Sequence, residues 1–111
     1  MSSASLATIL PADELFRLQV FAPLVDRPIA VRRGREWVTL KLVEAKASGG
    51  RGAGEKFALL FAGGLEQPLQ QGTHDFEHPA LGVFELFITP VITTSRDSLM
   101  YEAVINRETG V

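Results

Sequence analysis

The chain has 111 residues, 46% of them hydrophobic and 22% charged, which fits one globular domain and excludes a disordered segment. Its 11 Lys and Arg against 13 Asp and Glu leave a formal charge of −2, a balance that argues against a dedicated nucleic-acid binder. Cysteine is absent, which removes a disulfide framework, a thiolate metal site and a Cys nucleophile together, and no apolar run approaches the ~20 residues that cross a bilayer.

Residues 1–10 contain no Lys or Arg, and their apolar stretch is short and broken by Ser and Thr. The positive start of a secretory leader is therefore missing, and the expectation is a flexible N-terminus on a cytoplasmic protein, or on one exported by a route that needs no cleaved leader. Pro11 suits the first turn of a helix, and Asp13 and Glu14 behind it favour the positive end of the helix dipole. Leu15, Leu18, Phe21 and Leu24 recur every third residue, and Asp13 can reach Arg17 one turn on. The spacing predicts a short helical segment over about residues 12–25, ended by Pro23 and Pro28.

From Ile29 the period changes to two. Ile29 and Val31 face one way, and Arg33-Gly34-Arg35-Glu36 signals a turn. In the run Glu36–Ala47, Val38, Leu40 and Leu42 share a face opposite Thr39 and Lys41, the mark of a half-buried strand. Ser48–Gly54 reads as a hairpin tip. Its glycines lack the Lys-Ser or Lys-Thr pair of a phosphate cradle, since Lys56-Phe57 opens a strand. Phe57, Leu59 and Phe61 mark the third strand, residues 72–77 the fourth, 83–92 the fifth and 99–106 the sixth. The third and fifth are apolar on both faces, so a cover is expected on each. Pro90 is expected to stop the fifth strand from pairing further.

Short connections without helical period favour an antiparallel meander, because parallel pairing needs crossovers of about a dozen residues. The fold class is mainly β: a small antiparallel six-stranded barrel or sandwich with a short N-terminal helical segment. Residues 11–107 form the single β domain, with 108–111 as a tail.

The segments Gln71-Gly72-Thr73, His78-Pro79-Ala80-Leu81-Gly82, Phe87-Ile88-Thr89-Pro90 and Tyr101-Glu102-Ala103-Val104-Ile105-Asn106 follow Phe57–Phe61 in fixed order. In these elements the chain resembles an uncharacterised family of small bacterial all-β domains, over roughly residues 15–106. Genes of this family often lie near phage-tail-collar-like genes, so the resemblance implies a structural or assembly role, and it carries no catalytic residue. His74 departs from the pattern, which has an aromatic there. The motif residues also have readings without the family. Gly72 opens a strand where positive φ or close approach excludes a side chain, and the Asn106 amide can close orphan backbone groups.

His74, Asp75, Glu77 and His78 are the one dense titratable stretch. On a strand the two imidazoles share a face but lie ~13 Å apart, too far to ligate one zinc without a sharp bend, and a third ligand is still required. Asp75 and Glu77, ~7 Å apart, lack the groove that a glycosidase carboxylate pair needs. No Gly-x-Ser-x-Gly elbow is present. Arg32, Arg33 and Arg35 form the one basic cluster, with Lys41, Lys46 and Arg51 near in sequence. Trp37 beside it suits an interface anchor, because Trp is enriched at binding hot spots, or equally a lid on the core.

The expected function is a non-catalytic structural or protein-interaction module, working with a protein partner or as a homo-oligomer. No enzyme activity, cofactor, nucleic acid or membrane is expected. Partner contacts fall on Trp37, Arg33 and Arg35, or on the Phe84–Phe87 region. The alternative is a small-molecule- or metal-binding barrel with His74 and His78 at its rim.

Overall fold

The computed structural model describes residues 18–47, 54–93 and 96–108, without the side chains of 54, 55 and 106–108. The expectations for residues 11–17, for the glycine-rich tip, for Arg51 and for the Asn106 amide lie outside that description.

Among the described residues the helical segment begins at Leu18. One turn of helix, α1 (Leu18–Phe21), runs into a 3-10 turn at Ala22–Leu24. Pro23 fits near the start of that turn, where its missing N–H removes no bond. The chain then docks on the barrel through Asp26, whose N–H donates to the Leu42 carbonyl at 2.6 Å, while Leu42 N–H donates to Arg27 at 3.1 Å. Asp26 has a φ of 72°, the one non-glycine among the described residues on the positive side. Aspartate tolerates that conformation better than most residues.

Six strands follow: β1 (Pro28–Arg33), β2 (Glu36–Ala47), β3 (Gly54–Gly63), β4 (Gly72–His78), β5 (Gly82–Val91) and β6 (Leu99–Glu108). They close into an antiparallel barrel in the order β1-β2-β3-β6-β5-β4, which resolves barrel against sandwich. β6 runs through Glu108, the first residue expected in the tail.

The meander is not what forms. β1-β2-β3 and β4-β5-β6 are each meanders, but β3 pairs along its whole length with β6, from Gly54↔Glu108 to Gly63↔Leu99. β4 pairs with β1 at Ala30↔Glu77 and Val31↔Phe76. β3 and β4 therefore stand on opposite sides of the ring, and residues 64–71 cross one end to join them. Leu69 of this crossover is buried, and its N–H donates to the Tyr101 hydroxyl at 2.9 Å. A loop with a buried apolar anchor and a satisfied backbone group can cap a barrel; periodicity carries no sign of it.

Because neighbouring strands alternate in direction, the β1–β2 turn, the crossover and the β5–β6 connection all lie at the crossover end, here termed the mouth. The β4–β5 turn and α1 lie at the base. At the β1–β2 turn Arg33 pairs with Glu36, leaving a two-residue loop. Gly34 has a φ of 64° and Arg35 is not on the positive side, the pattern of a type II′ hairpin turn. Gly72 opens β4 at a φ of 148°, so the reading of that glycine holds.

Two details of the strands differ from the alternating pattern. Register shifts between Leu42 and Glu44, a bulge that takes up Val43. Continued alternation would turn Glu44 into the barrel. The extra residue instead leaves Glu44 exposed and turns half-buried Ala45 inward beside Leu59. Pro90 does not halt pairing: it stands opposite Tyr101, inside the Thr89–Val91 stretch that pairs with β6.

The interior is a chain of phenylalanines. Ring centroids step from Phe61 to Phe76 at 5.3 Å, to Phe84 at 5.8 Å, to Phe21 at 5.9 Å and to Phe57 at 6.1 Å. Tilted and edge contacts at such distances add ~0.5–1.5 kcal/mol each beyond area burial. Phe21, the one member from α1, plugs the base. Among the described residues no charged side chain is buried. On the outer faces the two strands differ: Val83 and Phe87 of β5 stand exposed, Ala58, Leu60 and Ala62 of β3 are half-buried, and Phe84 belongs to the core.

Gly63 is buried with an extended φ, and the reason is space. A Cβ built on it would meet Leu40 Cδ2 at 2.6 Å and Tyr101 Cε2 at 3.5 Å. Leu40 is itself buried, so it has little room to yield. Gly63→Ala is expected to destabilise by ~1–3 kcal/mol, the range for overpacking. Urea denaturation measures it, and an unchanged midpoint would show that Leu40 gives way freely.

Candidate functional site at the barrel mouth

The crossover residues Pro68, Leu69 and Gln70 form a ridge over the mouth with a cleft on each side. The polar cleft, about 380 Å³, is lined by Arg33, Gly34, Gln70 and His74 together with Pro68 and Leu69. The apolar groove, about 440 Å³, lies between the ridge and the β5–β6 connection, against Pro90, Ile92, Leu99, Met100 and Tyr101. Thr93 and Ser98 are its polar lining, and among the described residues no charged side chain lines it. Ile92 stands fully exposed at its rim.

The basic cluster divides by role. Arg33 is a strut: its Nε donates to the Pro68 carbonyl at 2.9 Å, and Nη1 pairs with Glu36 Oε2 at 2.9 Å. It ties the β1–β2 turn to the ridge, and its charge is answered within the fold. Arg32 and Trp37 are opposite partners on the two strands. The Arg32 guanidinium lies 5.7 Å from the centre of the Trp37 ring, and its Nε donates to the Gly34 carbonyl at 3.1 Å. This cation–π contact holds the indole on the surface, where it is 42% exposed. Arg35 sits at the exposed tip, and among the described residues it has no ion-pair partner. The structure thus gathers all three expected contact residues beside the mouth. Sequence reading missed Arg32 as the support of Trp37, a relation set by strand register. It also missed the groove around Ile92, which arises only when the crossover folds over the β5–β6 connection.

The two histidines are not brought together. His74, near the mouth, places Nε2 at 2.7 Å from the Gln70 carbonyl oxygen. A carbonyl only accepts, so Nε2 carries the proton and braces the ridge. His78 ends β4 at the base, where its Nδ1 accepts a hydrogen bond from Ala80 N–H at 3.0 Å. Among the described residues no group of three or more His, Asp or Glu side chains is placed to hold a metal ion. Asp75 and Glu77 lie on β4 without an ion-pair partner among the described residues.

Desolvation, and secondarily the positive charge of Arg27, lower the pKa of His78 below 6.5. The hydrogen bond from Ala80 points the same way, since Nδ1 must be unprotonated to accept it. The unfolded chain therefore takes up this proton more readily than the folded one. The stability contributed by neutral His78 is present above pH 6.5 and is lost as pH falls through the lowered value. His78→Asn, which keeps an acceptor and loses the proton, is expected to flatten this part of the fall in Tm between pH 7 and pH 5. Equal slopes for the two proteins would show that His78 is not the group responsible.

A family model described as "Domain of unknown function (DUF6916)" matches residues 16–105, most of the chain and nearly the stretch marked out by the sequence motifs. No curated protein and no solved structure matches the chain. Among the described residues no helix is long and apolar enough to cross a membrane.

Proposed function

Taking as premise that the chain belongs to the DUF6916 family, we propose that it is a non-catalytic interaction module whose barrel mouth docks on a protein partner. One observation carries this reading: the groups suited to recognition stand together on the outside of one end, while the described interior is closed with aromatic side chains. Trp37 is held outward by Arg32, Arg35 projects from the neighbouring turn, and the crossover beside them borders an open apolar groove. An exposed Trp beside Arg is the composition of a binding hot spot. The motif resemblance to bacterial domains whose genes lie near phage-tail-collar-like genes favours a larger assembly of that class as the setting.

Crosslinking in the native cells, followed by light scattering of the purified complex, tests the proposal. The chain is expected to run with a protein partner or as a homo-oligomer. The double variant W37A/R35E is expected to lose that association, while His78→Asn at the base retains it. A strict monomer in every preparation, or an association indifferent to the mouth variant, would overturn the reading.

A further inference from the structure

We infer that the occupant of the mouth is an acidic peptide segment in extended form, with one large apolar side chain in the groove and carboxylates on the Arg35 side of the ridge. The inference rests on the mouth being a protein-docking site and names the chemistry of what docks.

Charge complementarity selects the segment. The whole chain is at −2, yet residues 32–36 carry three Arg against the single Glu36. Glu36 answers Arg33, which also holds the ridge and is not available to a ligand. Arg32 over Trp37 and Arg35 at the tip remain as outward guanidinium groups. Guanidinium groups fit carboxylates through paired hydrogen bonds, and one seated on an indole is already oriented.

The other half of the site demands a different chemistry. The groove beyond the ridge is lined mainly by Pro, Leu, Val, Ile and Met with Tyr101, its polar members are Thr93 and Ser98, and among the described residues no charged side chain lines it. Fully exposed Ile92 supplies apolar surface that a bound side chain would cover. Covering it contributes in proportion to the area removed from water. A nucleic acid would present charge on every residue and find no use for this groove. A peptide can set an apolar residue beside acidic ones, and at ~3.3 Å per residue it crosses a three-residue ridge within a few positions.

The groups are also ready in place. The ridge is held by Tyr101 through Leu69 N–H and, along the polar cleft, by Arg33 on Pro68 and His74 on Gln70. A ligand would meet a surface already ordered, which lessens the entropy lost on binding.

The test is selection of a random octapeptide pool, displayed on beads, against the full chain and against the R35E/I92S double variant. Both substituted side chains are exposed, so the variant is expected to melt like the parent. Selected peptides are expected to carry Leu, Ile or Phe flanked by Asp or Glu. Synthesised singly, they are expected to shift the fluorescence of Trp37, the only tryptophan. Their affinity is expected to fall at least about tenfold with either R35E or I92S alone, and several-fold on raising salt, since exposed charge pairs are screened. A selected pool rich in Lys or Arg, or neutral, would overturn the acidic assignment while leaving the mouth as a docking site. A pool enriched equally by the double variant, or no enrichment at all, overturns the inference; the crosslinking experiment separately decides the docking reading beneath it.

Discussion

Phe21→Ala is expected to destabilise the protein by ~3–5 kcal/mol, the range for truncating a fully buried phenylalanine. Phe21 is 0% exposed and touches Phe57 from β3 and Phe84 from β5, so it joins two strands that do not pair with each other. Removing the ring leaves a void at the base between side chains whose backbones are held by the barrel and cannot close in. Against the 5–15 kcal/mol usual for a whole domain, the loss is large enough to populate unfolded chain at moderate temperature. Phe21→Leu, which keeps most of the volume, is expected to lose much less. Urea denaturation of the three proteins measures the series. A loss under about 1 kcal/mol for the Ala variant would mean that α1 is an accessory and not the plug of the barrel.

Tyr101→Phe is the sharper test of the mouth. It deletes one oxygen and leaves the ring in place. The Leu69 N–H then points into a buried space without an acceptor, at a cost of ~1–3 kcal/mol. The local effect should exceed the global one. Leu69 lies at the centre of the crossover, so its amide is expected to exchange with solvent much faster in the variant, while amides of the β3–β6 ladder keep their relative protection. Binding at the mouth is expected to weaken too, because the ridge divides the two clefts. If Leu69 exchange and peptide affinity both stay at the parent level, the crossover is held by other contacts.

These two residues also show how far the chain could be read without coordinates. Phe21 fell on the expected helical spacing, and its burial follows from the apolar face of that segment. Tyr101 was legible only as a motif residue on the last strand. Its hydroxyl partner lies 32 residues away, on a loop without periodic pattern. Arg33 was legible as a basic turn residue, but its work as a strut to Pro68 depends on a contact across 35 residues. The separation of His74 and His78 along β4 is legible from the chain, because backbone rise alone sets it.

The order of the hydrophobic residues by itself determined the strands, their inward faces and the mainly β class, since the pleat repeats every two residues whatever lies across from it. The turn at Gly34 and the positive φ at Gly72 were written locally too, because glycine takes such backbone conformations at no steric cost. Which strands became neighbours was decided only in three dimensions. The pairing of β3 with β6 and the crossover that follows depend on ring closure and on contacts between distant residues, and alternation is the same in a meander as in this barrel. The mouth, with its ridge and two clefts, is a product of that closure, so its parts lie scattered from Arg32 to Tyr101 and share no local signature.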